Sequence, residues 1–158
     1  MKDPEISETK KPQVETVVTD DPNAWMYGEL KEVVTLEQAQ SDIVRWMNHK
    51  QFSLRKRKEN AEWIMKLVAA VQDGDLLVNN ECRLVQQLRS TGGTLTYSER
   101  VPVKMFQDLL KSAKIEGDDG IGRINTMAAL ATGTTLAEMQ VLEGEDKDLK
   151  DAITLFFL

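Results

Sequence analysis

The chain has one cysteine, Cys82, and one histidine, His49, in 158 residues. A single thiol closes no disulfide within the chain, and one Cys with one His cannot assemble a four-ligand zinc site. Nucleophilic chemistry is equally short of parts. Cys82 and His49 form the one conceivable nucleophile and base, and a lone cysteine in a strand-like stretch reads instead as a small core side chain. The 26 acidic residues include no pair whose spacing singles it out for acid–base work. No catalytic, cofactor-binding or metal-ligating residue is therefore expected. Long apolar runs are also missing. No stretch approaches the ~20 residues of a membrane span, and the N-terminal MKDPEISETKK has no apolar core of a signal peptide. The expectation is a cytoplasmic protein without a membrane segment.

Acids outnumber bases by 26 to 20, giving a net charge of −6. Hydrophobic residues at 41% and charged residues at 29% are ordinary for a globular domain. Residues 1 to 24 depart from that average: Pro4, Pro12 and Pro22 punctuate a polar stretch with no large aromatic before Trp25. This composition predicts a disordered tail, or an arm that orders on a partner.

Beyond the tail, Thr35 and Gln38 spell a T-x-x-Q capping box that opens a helix. Leu36, Ala39, Ile43, Trp46 and Met47 follow at helical spacing and predict one buried stripe. A second helix is expected from Ser53 to Gln72, with Leu54, Ala61, Ile64, Met65, Val68 and Val71 inward and Asp73-Gly74-Asp75 as its stop. The short connection between them predicts a helical hairpin, with Trp46 and Trp63 in or beside its contact surface. Residues 25–78 form this unit.

The period changes in ECRLVQQLR and TLTYSERV, where Cys82, Leu84, Leu88 and then Leu95, Tyr97, Val101 fall two or four apart. Around Ser90-Thr91-Gly92-Gly93 this predicts a β-hairpin over about residues 82–101, with a continuous helix through 79–89 as the alternative. Pro102 suits a helix start, and Met105, Phe106, Leu109, Leu110 and Ala113 supply its stripe. An acidic loop at 116–120 precedes a helix from about Ile121, with Ile124, Met127, Ala128 and Ala131 inward, that should end at Gly133. Thr135 and Glu138 form a second capping box ahead of Leu136, Met139 and Leu142. A last helix from about Asp146 carries Leu149, Ala152, Ile153 and Phe156. No internal repeat is present. The fold class is α+β, mainly α: a helical hairpin, then a β-hairpin with about four helices over residues 79–158.

The two short helices flanking Gly133 have the outline of a helix-turn-helix, and charge argues against that use. Residues 115–146 hold seven acids and one base, Arg123, whereas DNA binding leans on cations that neutralise phosphate. The basic residues cluster elsewhere, at Arg55, Lys56, Arg57 and Lys58, with Trp46, Phe52 and Trp63 nearby. That patch fits a nucleic acid or an acidic protein surface, and an acidic segment of the same protein is one candidate; a solvated helix face is the plainer reading. The terminal LFFL is either core or an adhesive patch.

From Cys82 onward, the order of elements resembles the tail assembly chaperones of long-tailed bacteriophages. The carrying residues are SERVPVKMFQDLL after the hairpin, the acidic loop, and AALATGTTLAEMQVLEGEDKDLKDAITLFF with its small apolar residues, Thr-Gly step, capped helix and amphipathic end. V-P-V stands where the family has R-P-T, and residues 1–80 lie outside the resemblance. The resemblance implies a non-enzymatic factor of the host cytoplasm. Its partners would be the long helical tape measure protein and the tail tube protein, with self-association possible. Phe106, Leu110, Leu142, Phe156 and Phe157 are then the expected apolar contacts. The competing readings are a virion head or connector protein using its N-terminal arm, and a nucleic-acid or transcription regulator using Arg55 to Lys58.

Overall fold

The computed structural model describes residues 22–28 and 30–158. The expected tail lies outside the described residues up to position 21; a 3-10 turn, Ala24–Met26, is the first element.

Helix α1, Leu36–His49, is capped as its sequence predicts: the Thr35 hydroxyl accepts from the Gln38 amide N–H at 3.1 Å. The reciprocal half of the box is not made; the Gln38 side chain points the other way along the helix and donates its NH2 to Asp42 at 3.0 Å, one turn ahead. Ala39, Ile43, Trp46 and Met47 are buried, whereas Leu36, at the first helical position, is 51% exposed. The stripe begins one turn later than its periodicity suggests, since the first turn overhangs the core.

The single helix expected over 53–72 is two. Helix α2, Leu54–Glu59, is capped by Ser53, and α3, Ala61–Asp73, starts after Asn60. Asn60 leaves helical geometry at φ −112° and ψ 22°, and its side chain joins its own backbone N–H in donating to the Lys56 carbonyl, at 2.8 Å. This break changes which side chains face inward. Leu54 and Met65 point to solvent at 68% and 71% exposure, and Ala61 is exposed, while Leu67, Ala70 and Val71 carry the α3 contact. It also reverses the electrostatics of the basic run. Lys56, Arg57 and Lys58 occupy the last turn of α2, where positive charge complements the helix dipole; at the start of one long helix it would oppose it.

Helix α3 ends on Gly74, whose φ of +84° is left-handed and natural to glycine. The chain then enters a three-stranded antiparallel sheet of β1 (Leu76–Val78), β2 (Leu84–Gln87) and β3 (Thr94–Thr96), in the order β1-β2-β3. The predicted hairpin is β2 and β3, with Gln86 opposite Leu95. Strand β1 is an addition: three residues are too few to show a period, and it forms by pairing Leu77 with Val85. Cys82 does not join the strand expected there. It sits in the β1–β2 turn with φ +59°, half-buried, where the Asn79 side chain accepts from the Glu81 and Arg83 amides.

The remaining helices are α4 (Val103–Ser112), α5 (Gly120–Thr132), α6 (Leu136–Gln140) and α7 (Gly144–Thr154). Helix α5 ends at Gly133 with φ +70°, and the Thr135–Glu138 capping box is complete. Only Phe106 of α4 is buried, and Met105 lies exposed. One buried cluster joins α1, α3, the sheet, α5, Met139 of α6 and α7. The boundary drawn between residues 78 and 79 therefore falls between two paired strands. Trp46 meets Phe52 and Phe156 edge-on, at 5.3 and 5.5 Å between ring centroids, and so ties the first helix to the C-terminus.

Polar groups thread this core. Gln86, fully buried, accepts from the Tyr97 hydroxyl at 2.8 Å and donates to the Asp146 carbonyl at 2.9 Å. Lys150, also buried, reaches Asn125 of α5 and Asp151. Burial, then the Asp151 charge, pushes the Tyr97 hydroxyl far above its ordinary pKa, so Tyr97 serves as a neutral donor.

Candidate functional site

The most differentiated surface lies where Met26, Tyr27 and residues 30–32 meet the end of α3. Met26, Tyr27, Leu30, Lys31 and Glu32 form one wall; Ala69, Gln72 and Asp73 form the other; Arg89 and Glu145 close the end. Together they line a cleft of about 630 Å³. Its wall is pinned at Gln72, whose side chain donates to Glu32 and whose carbonyl accepts the Val33 amide. Gly74 permits that approach, because a Cβ there would stand 2.8 Å from a Val33 methyl. The apolar side chains of this wall and its chain neighbours face water: Leu30 is 74% exposed and Trp25 80%, with Met26 and Val33 also more than half exposed.

Asp73 and Glu145 line the cleft beside Arg89. Asp75 holds the Arg89 guanidinium through Nε at 2.9 Å and Nη2 at 2.8 Å, and Glu145 lies 3.2 Å from the same Nε. These hydrogen bonds, the Asp75 side chain first, raise the Arg89 pKa further. Asp73 is the outlying acid. Loss of water, followed by repulsion from Asp75 and Glu145, pushes its carboxyl up against the opposing pull of Arg89. It also terminates α3 with no base in that last turn, next to the negative end of the helix dipole.

The residues singled out from sequence fall in three other places. Phe106 is buried beneath the Arg123 guanidinium, 5.1 Å from the ring centroid. Leu110 is half-buried and lines, with Val103 and Ile115, an open groove of about 890 Å³ along α4. Leu142, Phe156 and Phe157 belong to the main core; Phe156 is 5% exposed, and Phe157 stacks on Tyr97 at 6.2 Å under Lys50. Of LFFL, Phe156 is core and Phe157 packs against that core, while Leu155 is half-buried and Leu158 exposed, and Phe106 and Phe156, at 7% and 5% exposure, have little surface to offer a partner. The basic run is also partly spent within the chain. Arg55 pairs with Glu59 at 2.9 Å, Lys56 lies over the Phe52 ring, and Arg57 donates to Phe52 O and Asn48.

Cys82 and His49 have different partners. The thiol takes a hydrogen bond from Arg45 at 3.4 Å, and His49 Nε2 pairs with Glu99 at 2.7 Å, which holds the Glu99 carboxyl below its ordinary pKa. Among the described residues no group of three His, Cys, Asp or Glu side chains is arranged to hold a metal ion, and no helix is long and apolar enough to cross a membrane.

Sequence reasoning missed the cleft because its residues come from positions 26–32, 69–73, 89 and 145. The one local signal was the density of large apolar side chains in WMYGELKEVV, a stretch outside any periodic helix.

Comparison with protein-family models, curated proteins and solved structures gives no match. The functional reading rests on the residues themselves.

Proposed function

We propose that this protein is a non-enzymatic tail assembly chaperone that binds a tape measure protein and assists polymerisation of the tail tube around it. The supporting observation is the succession from Leu84 to Phe157. Hairpin, α4, acidic loop, α5 closing on Gly133, capped α6 and terminal α7 follow the element boundaries on which the resemblance was drawn. The physical character of the surface agrees with the task. An acidic chain of net charge −6 remains repelled from its own copies, while exposed Trp25, Met26 and Leu30 can shield apolar faces of a long helical partner. Several weak contacts of this kind along one partner give avidity without preventing release.

The apolar contacts belong with side chains that reach solvent, not with buried Phe106 and Phe156. The test is affinity capture of the tagged protein during phage growth, with mass spectrometry of what accompanies it and of finished particles. Capture of a very long helical tail protein, with absence of the chaperone from particles, is the expected result. Incorporation into particles, or capture of polymerase or nucleic acid in its place, refutes the reading.

A further inference from the structure

We propose that the cleft between Met26, Tyr27 and residues 30–32 on one side and the end of α3 on the other docks a basic amphipathic helix, one apolar side chain entering between Met26, Leu30 and Ala69 and a Lys or Arg meeting Asp73 and Glu145. This rests on the chaperone reading for the partner's biological identity, while the chemistry of the partner is read from the cleft itself.

Three features fit one occupant. The cleft volume of about 630 Å³ suits a few side chains of a helix more than a whole domain. Met26 and Leu30, which line it, are 55% and 74% exposed, and Trp25, next to Met26 in the chain, is 80% exposed; aromatic and Met side chains are common anchors at helix-binding surfaces. The charges are unbalanced: Glu32, Asp73 and Glu145 line the cleft with Lys31 and Arg89, and Arg89 is already held between Asp75 and Glu145. Asp73 is left at the negative end of α3, repelled by its two neighbours. A cation placed there relieves both the repulsion and the dipole. An acidic helix would add a further charge to the same place.

The groove along α4 is larger but lacks this imbalance. Lys104 and Asp108 already pair along α4 at 2.9 Å, leaving Lys111 as the one other charge on its lining.

The test is calorimetric titration of the full chain with two peptides about five turns long, one Leu/Lys and one Leu/Glu amphipathic helix. The Leu/Lys peptide is expected to bind and the Leu/Glu peptide not. Leu30→Asp, at an exposed site that the core does not use, should weaken binding about tenfold, and Asp73→Asn about threefold. Glu116→Gln with Asp118→Asn, in the distant acidic loop, is the control for general charge attraction and should leave affinity unchanged. Absence of Leu/Lys binding, indifference to Leu30→Asp, or an equal loss from the loop control overturns the proposal. Capture from infected cells separates the two ideas. Tape measure recovery that survives Leu30→Asp sinks the cleft alone, and failure of recovery by a chain whose cleft binds the peptide sinks the chaperone reading alone.

Discussion

Replacing Asp146 with alanine removes the contact by which α7 grips the hairpin. The buried carboxylate accepts from the Arg89 amide at 2.8 Å, the Ser90 amide at 3.1 Å and the Ser90 hydroxyl at 2.7 Å. Burial pushes its pKa up, and those three hydrogen bonds with the Arg89 charge outweigh that effect and hold it below the ordinary value. Each charge-assisted bond is worth roughly 1.5–3 kcal/mol. Arg89 and Ser90 are exposed, so water recovers part of the loss, and the net cost of Asp146→Ala should be about 3 kcal/mol. For a chain of this length that corresponds to a fall in Tm of roughly 6–12 °C. Urea unfolding of Asp146→Ala, Ser90→Ala and the double variant measures it. A loss below about 1 kcal/mol, or a Ser90→Ala loss equal to the full effect, refutes the assignment. The pH dependence has a definite sign. A carboxyl whose folded pKa is depressed contributes stability above its unfolded value and loses it as pH falls through the folded one. The contribution should be complete above about pH 5 and fade below about pH 4, and Asp146→Asn should flatten that acid limb.

Phe156→Ala should cost roughly 3–5 kcal/mol in urea unfolding, because it opens a cavity beside Trp46 and Phe52; a surface residue would cost under ~0.5 kcal/mol. Two glycine variants separate backbone strain from crowding. Gly133→Ala, with φ +70° and open space around the new Cβ, should cost about 1 kcal/mol, and Gly74→Ala, which meets Val33, roughly 2–3 kcal/mol. Similar losses at the two sites would show that the wall over Gly74 moves freely. Lys150→Met should cost roughly 1–3 kcal/mol by stranding the buried Asn125 carbonyl. The Lys150→Met, Asn125→Leu double variant should recover most of it, as an apolar replacement of a buried polar pair often does. A double variant worse than the single would place the value of Lys150 in its bond to Asp151.

Short-range chemistry was legible from residue order alone. Thr35, Ser53, Thr135 with Glu138, Gly74 and Gly133 bound helices where their side chains, or the absence of one, satisfy end groups within a few residues. The β2–β3 hairpin was legible for the same reason, since its turn and alternation lie within one short stretch. The local effect missed was Asn60, whose non-helical backbone, held by two hydrogen bonds to the Lys56 carbonyl, breaks a helix that periodicity would continue. Everything that depended on distant partners was decided by tertiary structure. Strand β1 exists because β2 pairs with it, Leu36 and Met65 are exposed because their helix faces overhang the core, and Phe156 is interior because Trp46 and Phe52 cover it. The acidic cleft likewise assembles residues more than a hundred positions apart. Caps and turns act over one or two helical turns, whereas burial and electrostatic balance depend on which surfaces meet.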